Sequence, residues 1–293
     1  MDGGILISVL TPMVLALIMM GMGMSLTLDD FRRVFEFPKA VAVGVFGQLV
    51  ALPVIGLALA LAFELGPEMA IGLMIVSFCP GGATSNILSL LARGDLALSV
   101  SLTAISCFIT PFTIPLLVNE TLAFFPQQSE SVQLPLASTL LQIVMITVVP
   151  ICVGMLINHH APGFSRKMDR FVRVGGMVFL IVLTAGIAWT ERLTLPGLIV
   201  QAGMVTGSLA LSCYAFGYVS GYFARLELSQ RASICIEVGL QNSTLAMVIT
   251  TVMLKNTAMA VAPMVYSIMM FAVGWCAVLW FNYRIRGQKM AVI

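Results

Sequence analysis

Charged residues are scarce in this 293-residue sequence. Asp, Glu, Lys and Arg together make up 10% of the chain, hydrophobic residues make up 59%, and the mean hydropathy is +1.03. A soluble domain has about a quarter of its residues charged and about half of them apolar. The scarcity of charge therefore excludes an ordinary soluble fold. It predicts an all-α protein that crosses a lipid bilayer several times.

Clusters of metal-binding or disulfide-forming residues are also missing. The six cysteines are spread singly through apolar stretches without a CxxC pair, and the two histidines are adjacent at positions 159 and 160. The cysteine pattern therefore predicts no disulfide framework and no transition-metal site. The formal net charge of +2 says nothing about nucleic acid, because what matters in a membrane protein is where the basic residues fall. For a membrane protein of this composition we expect no nucleic-acid partner.

Apolar runs long enough to cross a bilayer recur along the chain. A hydrocarbon core of about 30 Å requires about 20 helical residues. Nine runs approach or exceed this length and predict nine transmembrane helices, at Gly4–Leu26, Ala40–Phe63, Met69–Ala92, Leu96–Val118, Leu136–Ile157, Val174–Thr190, Gly197–Phe223, Ala232–Leu254 and Ala258–Tyr283.

The basic residues are distributed unevenly between the loops that join these helices. With the N-terminus outside, only Arg192 and Lys255 are extracellular, which leaves 13 of the 15 basic residues on the cytoplasmic side. Cytoplasmic loops of membrane proteins are enriched in Lys and Arg. The sequence therefore predicts an outside N-terminus and a cytoplasmic C-terminus. The compact loops favour a bacterial inner membrane, with a plastid or animal membrane as the alternative.

A single acidic residue, Glu237, lies inside a predicted span. A charge at the bilayer centre costs at least about 2.5–3.5 kcal/mol, so such residues face the protein interior and usually have a function. No Lys, Arg or His lies in any predicted span to pair with it. A bound cation or a proton is therefore the expected neutraliser. The alternative is a protonated Glu237 that only forms hydrogen bonds with backbone.

Two predicted spans contain helix-breaking motifs. The third span contains CPGGATSN (Cys79–Asn86), in which Pro80 cannot donate a backbone hydrogen bond and two glycines follow it. The eighth span contains EVGLQNS (Glu237–Ser243), which combines a glycine with several polar side chains. Broken spans at corresponding places in two halves of a chain indicate the binding site of a transporter.

These motifs, with GMGMSLTLDDF (Gly21–Phe31) and ARGDLALSVSLT (Ala92–Thr103), resemble the bile acid:sodium symporter family over essentially the whole chain. The resemblance implies sodium-coupled symport of an organic anion by alternating access, and no enzymatic activity. The anion would be a bile acid or a small carboxylate such as pantoate or pyruvate. The expected partners are this small substrate and the lipid bilayer, and the oligomeric state is left open.

The resemblance also implies the architecture. Family members consist of two inverted repeats, arranged as a core domain with two crossing broken helices and a panel domain. In this sequence the first helix ends in the motif that members carry on their second, so the opening helix is expected to be absent, as in nine-helix members. Residues 1–293 would form a single transporter unit, with repeat one at 4–118 (helices 1–4) and repeat two at 136–283 (helices 5–9). Helices 1–4 then pair with helices 6–9, helix 5 is unpartnered, and helix 3 crosses helix 8.

Binding residues carried across from the family's motifs imply two sodium ions and no other metal. The first sodium site would consist of Ser85, Asn86, Ser99, Thr103 and Glu237. The second would consist of Gln48, Glu237, Gln241 and the backbone carbonyls near Val238 and Leu240. All of these groups offer oxygen, which a hard cation prefers. For Ser99 and Thr103 the alternative is a hydrogen bond back to the preceding helical turn.

The organic anion would bind at the same crossing. The implied contacts are Ala83, Thr84, Asn86, Asn242 and Ser243. Family members vary between Pro–Gly–Gly and Ser–Asn, where this chain has Ala83 and Thr84, so the fine specificity is left open.

Three rival classes differ from this interpretation in what they require. An intramembrane enzyme would need a nucleophile with a base or a metal cluster, which one membrane glutamate does not supply. A channel would need a continuous pore lined by carbonyls or charges, and paired broken helices in one chain argue against it. The main alternative is a proton- or potential-driven organic-anion transporter of the same fold.

Overall fold

The computed structural model describes residues 3–82, 84–125, 134–190 and 195–290. This part of the chain is almost entirely helical, and its only β-type pairing is an isolated antiparallel bridge between Gly81 and Gln241. Helices satisfy their backbone hydrogen bonds within each segment, as a lipid environment requires. The prediction of an all-α protein is therefore confirmed.

The α-helices of the described ranges are, in chain order, α1 (Gly3–Met24), α2 (Leu28–Arg32), α3 (Pro38–Phe46), α4 (Leu52–Ala62), α5 (Pro67–Phe78), α6 (Ser85–Leu91), α7 (Leu96–Phe124), α8 (Leu136–Ile146), α9 (Val148–His160), α10 (Pro162–Thr190), α11 (Leu195–Phe223), α12 (Leu228–Gly239), α13 (Ser243–Val248) and α14 (Val261–Met290). Two π-helical turns extend this set: Gly47–Ala51 joins α3 to α4, and Ile249–Met253 continues α13. Pro53 follows the first π-turn and offers no N–H, which agrees with the widened backbone there.

The predicted spans all fall on helices or interrupted helices of the described chain. The helices long and apolar enough to cross a membrane are Pro38–Ala62, Leu96–Phe124, Leu136–His160, Val200–Phe223 and Ala258–Ile285. A sixth candidate combines Leu10–Met24 with Leu28–Phe35, two segments bent by 76° at their junction. The chain is therefore a multi-pass membrane protein, and the number of nine crossings stays a prediction.

Several predicted spans differ in extent from the observed helices, by six residues at the end of α7 and seven at the end of α14 for example, and two of the differences have a clear local cause. The helix α10 begins at Pro162 rather than Val174, because helix formation continues through the basic segment that precedes the apolar run. The span Leu136–Ile157 is divided at Thr147, whose backbone departs from helical geometry with φ −120° and ψ −66°. Pro150 lies three residues later and provides no N–H for the carbonyl four residues before it, which explains the distortion.

The first helix packs closely against α9 and α10. Gly23 and Gly154 permit this approach, because a Cβ atom on Gly23 would overlap the carbonyl oxygen of Ile151 and one on Gly154 would overlap that of Met20. Small residues at such contacts allow membrane helices to come close. Side-chain bulk at these glycines would separate α1 from α9.

A second packed group surrounds α12, which contacts α3, α6, α7, α11 and α14. The residues of α12 from Ala232 to Gly239 are all buried. The segment α2, which follows α1, contacts α7 of this group. The Ser101 hydroxyl of α7 donates to the Asp30 carbonyl oxygen of α2 at 2.7 Å, and the rings of Phe31 and Phe108 pack edge to face with their centroids 5.3 Å apart. The interior of this second group contains the polar residues singled out in the sequence.

Four turns share one backbone conformation. Glu64, Arg93, Arg225 and Lys255 have φ values of 49°, 57°, 55° and 52°, in the left-handed region that few non-glycine residues adopt. Each of them terminates a helix, and the amide of the following residue bonds back to a carbonyl in the last helical turn. Glu64 and Arg225 precede α5 and α12, whereas Arg93 follows α6 and Lys255 follows the π-turn after α13. The same turn therefore flanks α5–α6 and α12–α13.

Candidate functional site

Two helices are interrupted inside the second packed group. The helix α5 ends at Phe78, where Cys79 adopts extended backbone (φ −71°, ψ 153°) and Pro80 offers no N–H. The helix α12 ends at Gly239, and Leu240 is likewise extended (φ −108°, ψ 104°) before α13 begins. Both interruptions lie inside the two motifs that the sequence analysis singled out.

The interrupted segments pair with each other through their backbones. The amide of Gly82 donates to the Leu240 carbonyl at 3.1 Å, and the amide of Asn242 donates to the Pro80 carbonyl at 2.9 Å. Backbone groups without partners are costly at membrane depth. Each interruption therefore supplies hydrogen-bond partners that the other one needs, and α5–α6 meets α12–α13 at this point.

The two glycines of the first interruption have different surroundings. A Cβ atom on Gly81 would overlap Oε1 of Glu237 and would lie 3.1 Å from Nε2 of Gln48. A Cβ atom on Gly82 would have its nearest neighbour, the carbonyl oxygen of Gln241, at an ordinary 3.5 Å. Of the two, Gly81 is the position at which a Cβ atom would displace a neighbour, because the Glu237 carboxylate lies directly against it.

The Glu237 carboxylate is surrounded by side-chain oxygens. It is fully buried, and it accepts hydrogen bonds from the hydroxyls of Thr103 at 2.6 Å and Ser99 at 3.2 Å. The Ser99 hydroxyl also lies 3.0 Å from Oδ1 of Asn86, and the Ser85 hydroxyl lies 3.4 Å from that of Thr103. The five residues predicted for the first sodium site therefore come together in the structure.

This cluster has more acceptor sites than protons to fill them. Each hydroxyl carries one proton, while the carboxylate and the amide oxygen only accept. The Ser99 proton cannot serve both Glu237 and Asn86, and the Thr103 hydroxyl has the Ser99 carbonyl at 3.0 Å as a competing acceptor. A surplus of hard oxygen atoms around a carboxylate suits a cation of the sodium type.

The charge of Glu237 has no ionic partner within the described residues. The ion pairs found there are Arg32–Asp29 and Arg33–Asp30, which lie in α2 and at the residue that follows it. A fully buried carboxylate needs a compensating positive charge or a proton. The hydroxyl donors stabilise the anion but do not neutralise it.

A second group of polar side chains covers the end of α12. The Gln48 side-chain amide donates to the Glu237 carbonyl at 3.1 Å, and the Gln241 side-chain amide donates to the Val238 carbonyl at 2.8 Å. Since a carbonyl only accepts, each amide must turn its NH₂ group towards it. The two Oε1 atoms are buried and accept no hydrogen bond from the described part of the chain. Two such oxygens fit a cation better than they fit a dry protein interior.

Two of the residues predicted for substrate binding, Asn242 and Ser243, lie at the start of α13. The Asn242 Oδ1 atom caps this helix by accepting from the Leu245 amide at 3.0 Å, while its Nδ2 atom faces the Met19 sulfur at 3.9 Å. The Ser243 hydroxyl faces the Met270 sulfur at 3.8 Å. A thioether is a weak acceptor, so both donors are poorly satisfied by these contacts.

The remaining substrate candidates lie at the start of α6. Thr84 and Asn86 are half-buried there. Ala83 lies outside the described residues. Apart from Ala83, the structure therefore brings all the predicted sodium and substrate residues to the meeting point of the two interruptions.

Two contributors to this region were missed by the sequence analysis. Tyr266 donates its hydroxyl to the Gly239 carbonyl at 2.9 Å, and Met19 of α1 faces Asn242. Tyr266 left a signal, because a phenol group in the middle of an apolar span needs a hydrogen-bond partner. Met19 left none, because methionine in an apolar helix is an ordinary packing residue.

Interrupted helices that pair inside a bundle of apolar helices are typical of ion-coupled membrane transporters. The chain belongs to the sodium bile acid symporter family, whose model matches residues 12–198. Members of this family are transporters rather than enzymes, and sodium is the ion that they co-transport. The family resemblance and the predicted lack of enzymatic activity are therefore confirmed.

Three relatives illustrate the range of the family. The chain is 30% identical to the uncharacterized sodium-dependent transporter YocS of Bacillus subtilis over 81% of this chain and 72% of YocS. It is 32% identical to the probable chloroplastic sodium/metabolite cotransporter BASS1 of Arabidopsis thaliana over 87% of this chain and 62% of BASS1. It is 26% identical to the human ileal sodium/bile acid cotransporter over 92% of this chain and 77% of that protein. The chain thus spans less than two thirds of the plant protein.

Proposed function

We propose that this protein is a sodium-coupled symporter of an organic anion that works by alternating access. The observation that carries the proposal is the Glu237 carboxylate, which is fully buried among acceptor oxygens without an ionic partner in the described chain. A sodium ion supplies the missing charge and uses those oxygens as ligands. The protein binds sodium and substrate together, and their joint release on the other side couples the two fluxes.

Two sodium ions share the Glu237 carboxylate in this proposal. The first binds to Ser85, Asn86, Ser99, Thr103 and Glu237, and the second binds to Gln48, Glu237, Gln241 and the carbonyls of Val238 and Leu240. The unpartnered Oε1 atoms of Gln48 and Gln241 support the second site. The Val238 and Leu240 carbonyls accept one hydrogen bond each from Gln241 and Gly82, which leaves a second lone pair on each oxygen.

The organic anion binds next to these ions, at Ala83, Thr84, Asn86, Asn242 and Ser243. Its carboxylate takes the donors of Asn242 and Ser243, which face only weak sulfur acceptors in the described chain. Bile acids and small carboxylates such as pantoate are the candidate classes. Met19 brings α1 to this position, so the substrate lies where the first packed group meets the second.

Asn242→Asp tests the anion site. Aspartate caps a helix as well as asparagine does, so the bond from the Leu245 amide and the fold are kept. The NH₂ donor, however, becomes a carboxylate oxygen that repels an anion. We expect uptake affinity for the organic anion to fall at least about tenfold. Sodium-dependent thermal stabilisation without substrate should stay close to that of the wild type. Unchanged uptake kinetics would place the anion elsewhere.

The inverted repeat and the two-domain division are also proposals. Residues 1–293 form one transporter unit, with repeats at 4–118 and 136–283. The left-handed turns support this arrangement, because Glu64 and Arg225 precede the two interrupted helices and Arg93 and Lys255 follow them. The packing of α1 with α9 and α10 supports a panel domain separate from the core around α12.

The proposed topology places the N-terminus outside and the C-terminus in the cytoplasm of a bacterial inner membrane. Arg93 and Lys255 are exposed residues in equivalent turns and should lie on opposite sides. In a variant without native cysteines, we expect an impermeant maleimide to label Lys255→Cys in intact cells and Arg93→Cys only after the membrane is opened. Labelling of both positions in intact cells would contradict this topology.

Proteoliposomes test the function directly. A bile acid, pantoate and pyruvate are offered separately, with an inward sodium gradient or with choline in its place at fixed pH. Concentrative uptake of one of these anions that requires sodium supports symport. Uptake that follows a pH gradient or a membrane potential without sodium would favour the alternative, a proton- or potential-driven transporter of the same fold. Non-saturable flux would indicate a channel.

A further inference from the structure

The four backbone carbonyls at the end of α12 each accept a hydrogen bond from a different residue. A helix leaves its last four carbonyls without helical partners. Here the Glu237 carbonyl accepts from Gln48, the Val238 carbonyl from Gln241, the Gly239 carbonyl from Tyr266 and the Leu240 carbonyl from the Gly82 amide. Gln48, Gln241 and Gly82 belong to the proposed sodium sites or to the meeting point of the interruptions. Tyr266 belongs to neither.

Tyr266 approaches this helix end from α14. Its side chain is fully buried, and its hydroxyl lies 2.9 Å from the Gly239 carbonyl oxygen. Gly239 lies two residues after Glu237 and two residues before Gln241. Glycine restricts its own backbone less than any other residue, so the orientation of its peptide group depends on outside contacts. The Tyr266 hydroxyl is such a contact.

We infer that Tyr266 is a positioning residue for sodium binding: its hydroxyl fixes the Gly239 peptide group and thereby the directions of the neighbouring Val238 and Leu240 carbonyls. The inference rests on the proposed function, since those carbonyls are ligands only if the second sodium site exists. Tyr266 itself touches neither the ion nor the substrate. With the Gly239 carbonyl bound to a phenol, the carbonyls on either side of it are held in one arrangement.

Tyr214 is a matched control within the same region. It is also buried, its hydroxyl also donates to a backbone carbonyl at 2.9 Å, and its ring packs against Gly239 so closely that a Cβ atom there would overlap it. Its acceptor, however, is Met270 in α14 and not the end of α12. Removal of either hydroxyl deletes one equally buried hydrogen bond, but only Tyr266→Phe releases the Gly239 carbonyl.

The test compares Tyr266→Phe, Tyr214→Phe and the wild type as purified proteins. Melting temperature is measured against sodium chloride concentration, with choline chloride holding the ionic strength constant, and uptake is measured in proteoliposomes. We expect Tyr266→Phe to raise the sodium concentration for half-maximal stabilisation roughly tenfold, because the Val238 and Leu240 carbonyls are then no longer held in the arrangement that binds sodium. Tyr214→Phe should change it less than about twofold, while both variants lose similar melting temperature in choline. At saturating sodium, the maximal uptake rate of Tyr266→Phe should approach that of the wild type.

Several outcomes would overturn the inference. Equal sodium midpoints in the two variants would do so, as would a loss of melting temperature in Tyr266→Phe with the sodium midpoint unchanged. If Tyr266→Phe does not fold, a difluorinated tyrosine placed at position 266 keeps the shape and strengthens the donor. Difluorotyrosine at position 266 should change the sodium concentration for half-maximal stabilisation, whereas difluorotyrosine at position 214 should leave it unchanged. An unchanged sodium concentration for the protein substituted at position 266 would overturn the proposal. If sodium neither stabilises the wild-type protein nor drives its uptake of an anion, the proposed function is refuted, and the inference is refuted with it.

Discussion

Glu237→Gln abolishes sodium-coupled uptake if the buried carboxylate is the shared sodium ligand. The substitution keeps the size and shape of the side chain but removes its negative charge. It also adds an NH₂ group where the Thr103 and Ser99 hydroxyls already donate, at 2.6 and 3.2 Å. Loss of a buried charge from an ion pair costs about 3–5 kcal/mol, so sodium affinity should fall at least about a hundredfold. Uptake against sodium concentration in proteoliposomes measures this effect.

Two variants that remove neutral ligands serve as a comparison for the loss of sodium affinity in Glu237→Gln. Asn86→Ala and Gln241→Ala each remove one neutral oxygen and should weaken sodium dependence less than Glu237→Gln does. The wild type should show a Hill coefficient above one for sodium, because two ions bind around one carboxylate. Wild-type uptake that ignores sodium and follows a pH gradient would overturn the symport proposal and make Glu237 a proton carrier.

Gly81→Ala should impair transport severely, although it adds a single methyl group. The new Cβ atom would overlap Oε1 of Glu237 and lie 3.1 Å from Nε2 of Gln48, so the carboxylate or the interrupted backbone must shift. Overpacking of this kind costs about 1–3 kcal/mol, which corresponds to a loss of sodium affinity between about fivefold and 150-fold. Sodium-dependent uptake and sodium-dependent thermal stabilisation should both report the loss.

Gly82→Ala is the matched control for this variant. It adds the same methyl group one residue further along the same interruption, where the nearest atom is the Gln241 carbonyl oxygen at 3.5 Å. Neither glycine has a positive φ, so backbone strain does not distinguish the two substitutions. We expect Gly82→Ala to retain sodium dependence close to that of the wild type. Equal behaviour of the two variants would mean that contact with Glu237 is not the reason for glycine at position 81.

The features that could be predicted from the sequence are those that are unusual in a membrane-spanning helix. A carboxylate at Glu237 stands out in an apolar span because few charges are tolerated there. Pro80 breaks α5 because its missing N–H acts locally, within one helical turn. The basic segment before Val174 concealed the start of α10, since hydropathy detects the membrane core of a helix and not its full length.

Partners that come from distant parts of the chain could not be predicted in this way. The Tyr266 hydroxyl meets a carbonyl 27 residues away, and the Asn242 side chain faces Met19 across a separation of 223 residues. These pairings depend on how α14 and α1 pack, which no local pattern records. Gly81 and Gly82 look equivalent as a sequence pair, and only the position of Glu237 distinguishes them.

The backbone pairing between the two interruptions has a consequence for biosynthesis. The amide of Gly82 bonds to the carbonyl of Leu240, and the amide of Asn242 bonds to the carbonyl of Pro80. A ribosome releases residue 82 long before residue 240, so α5 and α6 enter the membrane while their interruption lacks these partners. The first half of the chain therefore completes its hydrogen bonds only after the second half has been inserted. Until then the Gly82 amide and the Pro80 carbonyl lack the partners that they have in the folded protein.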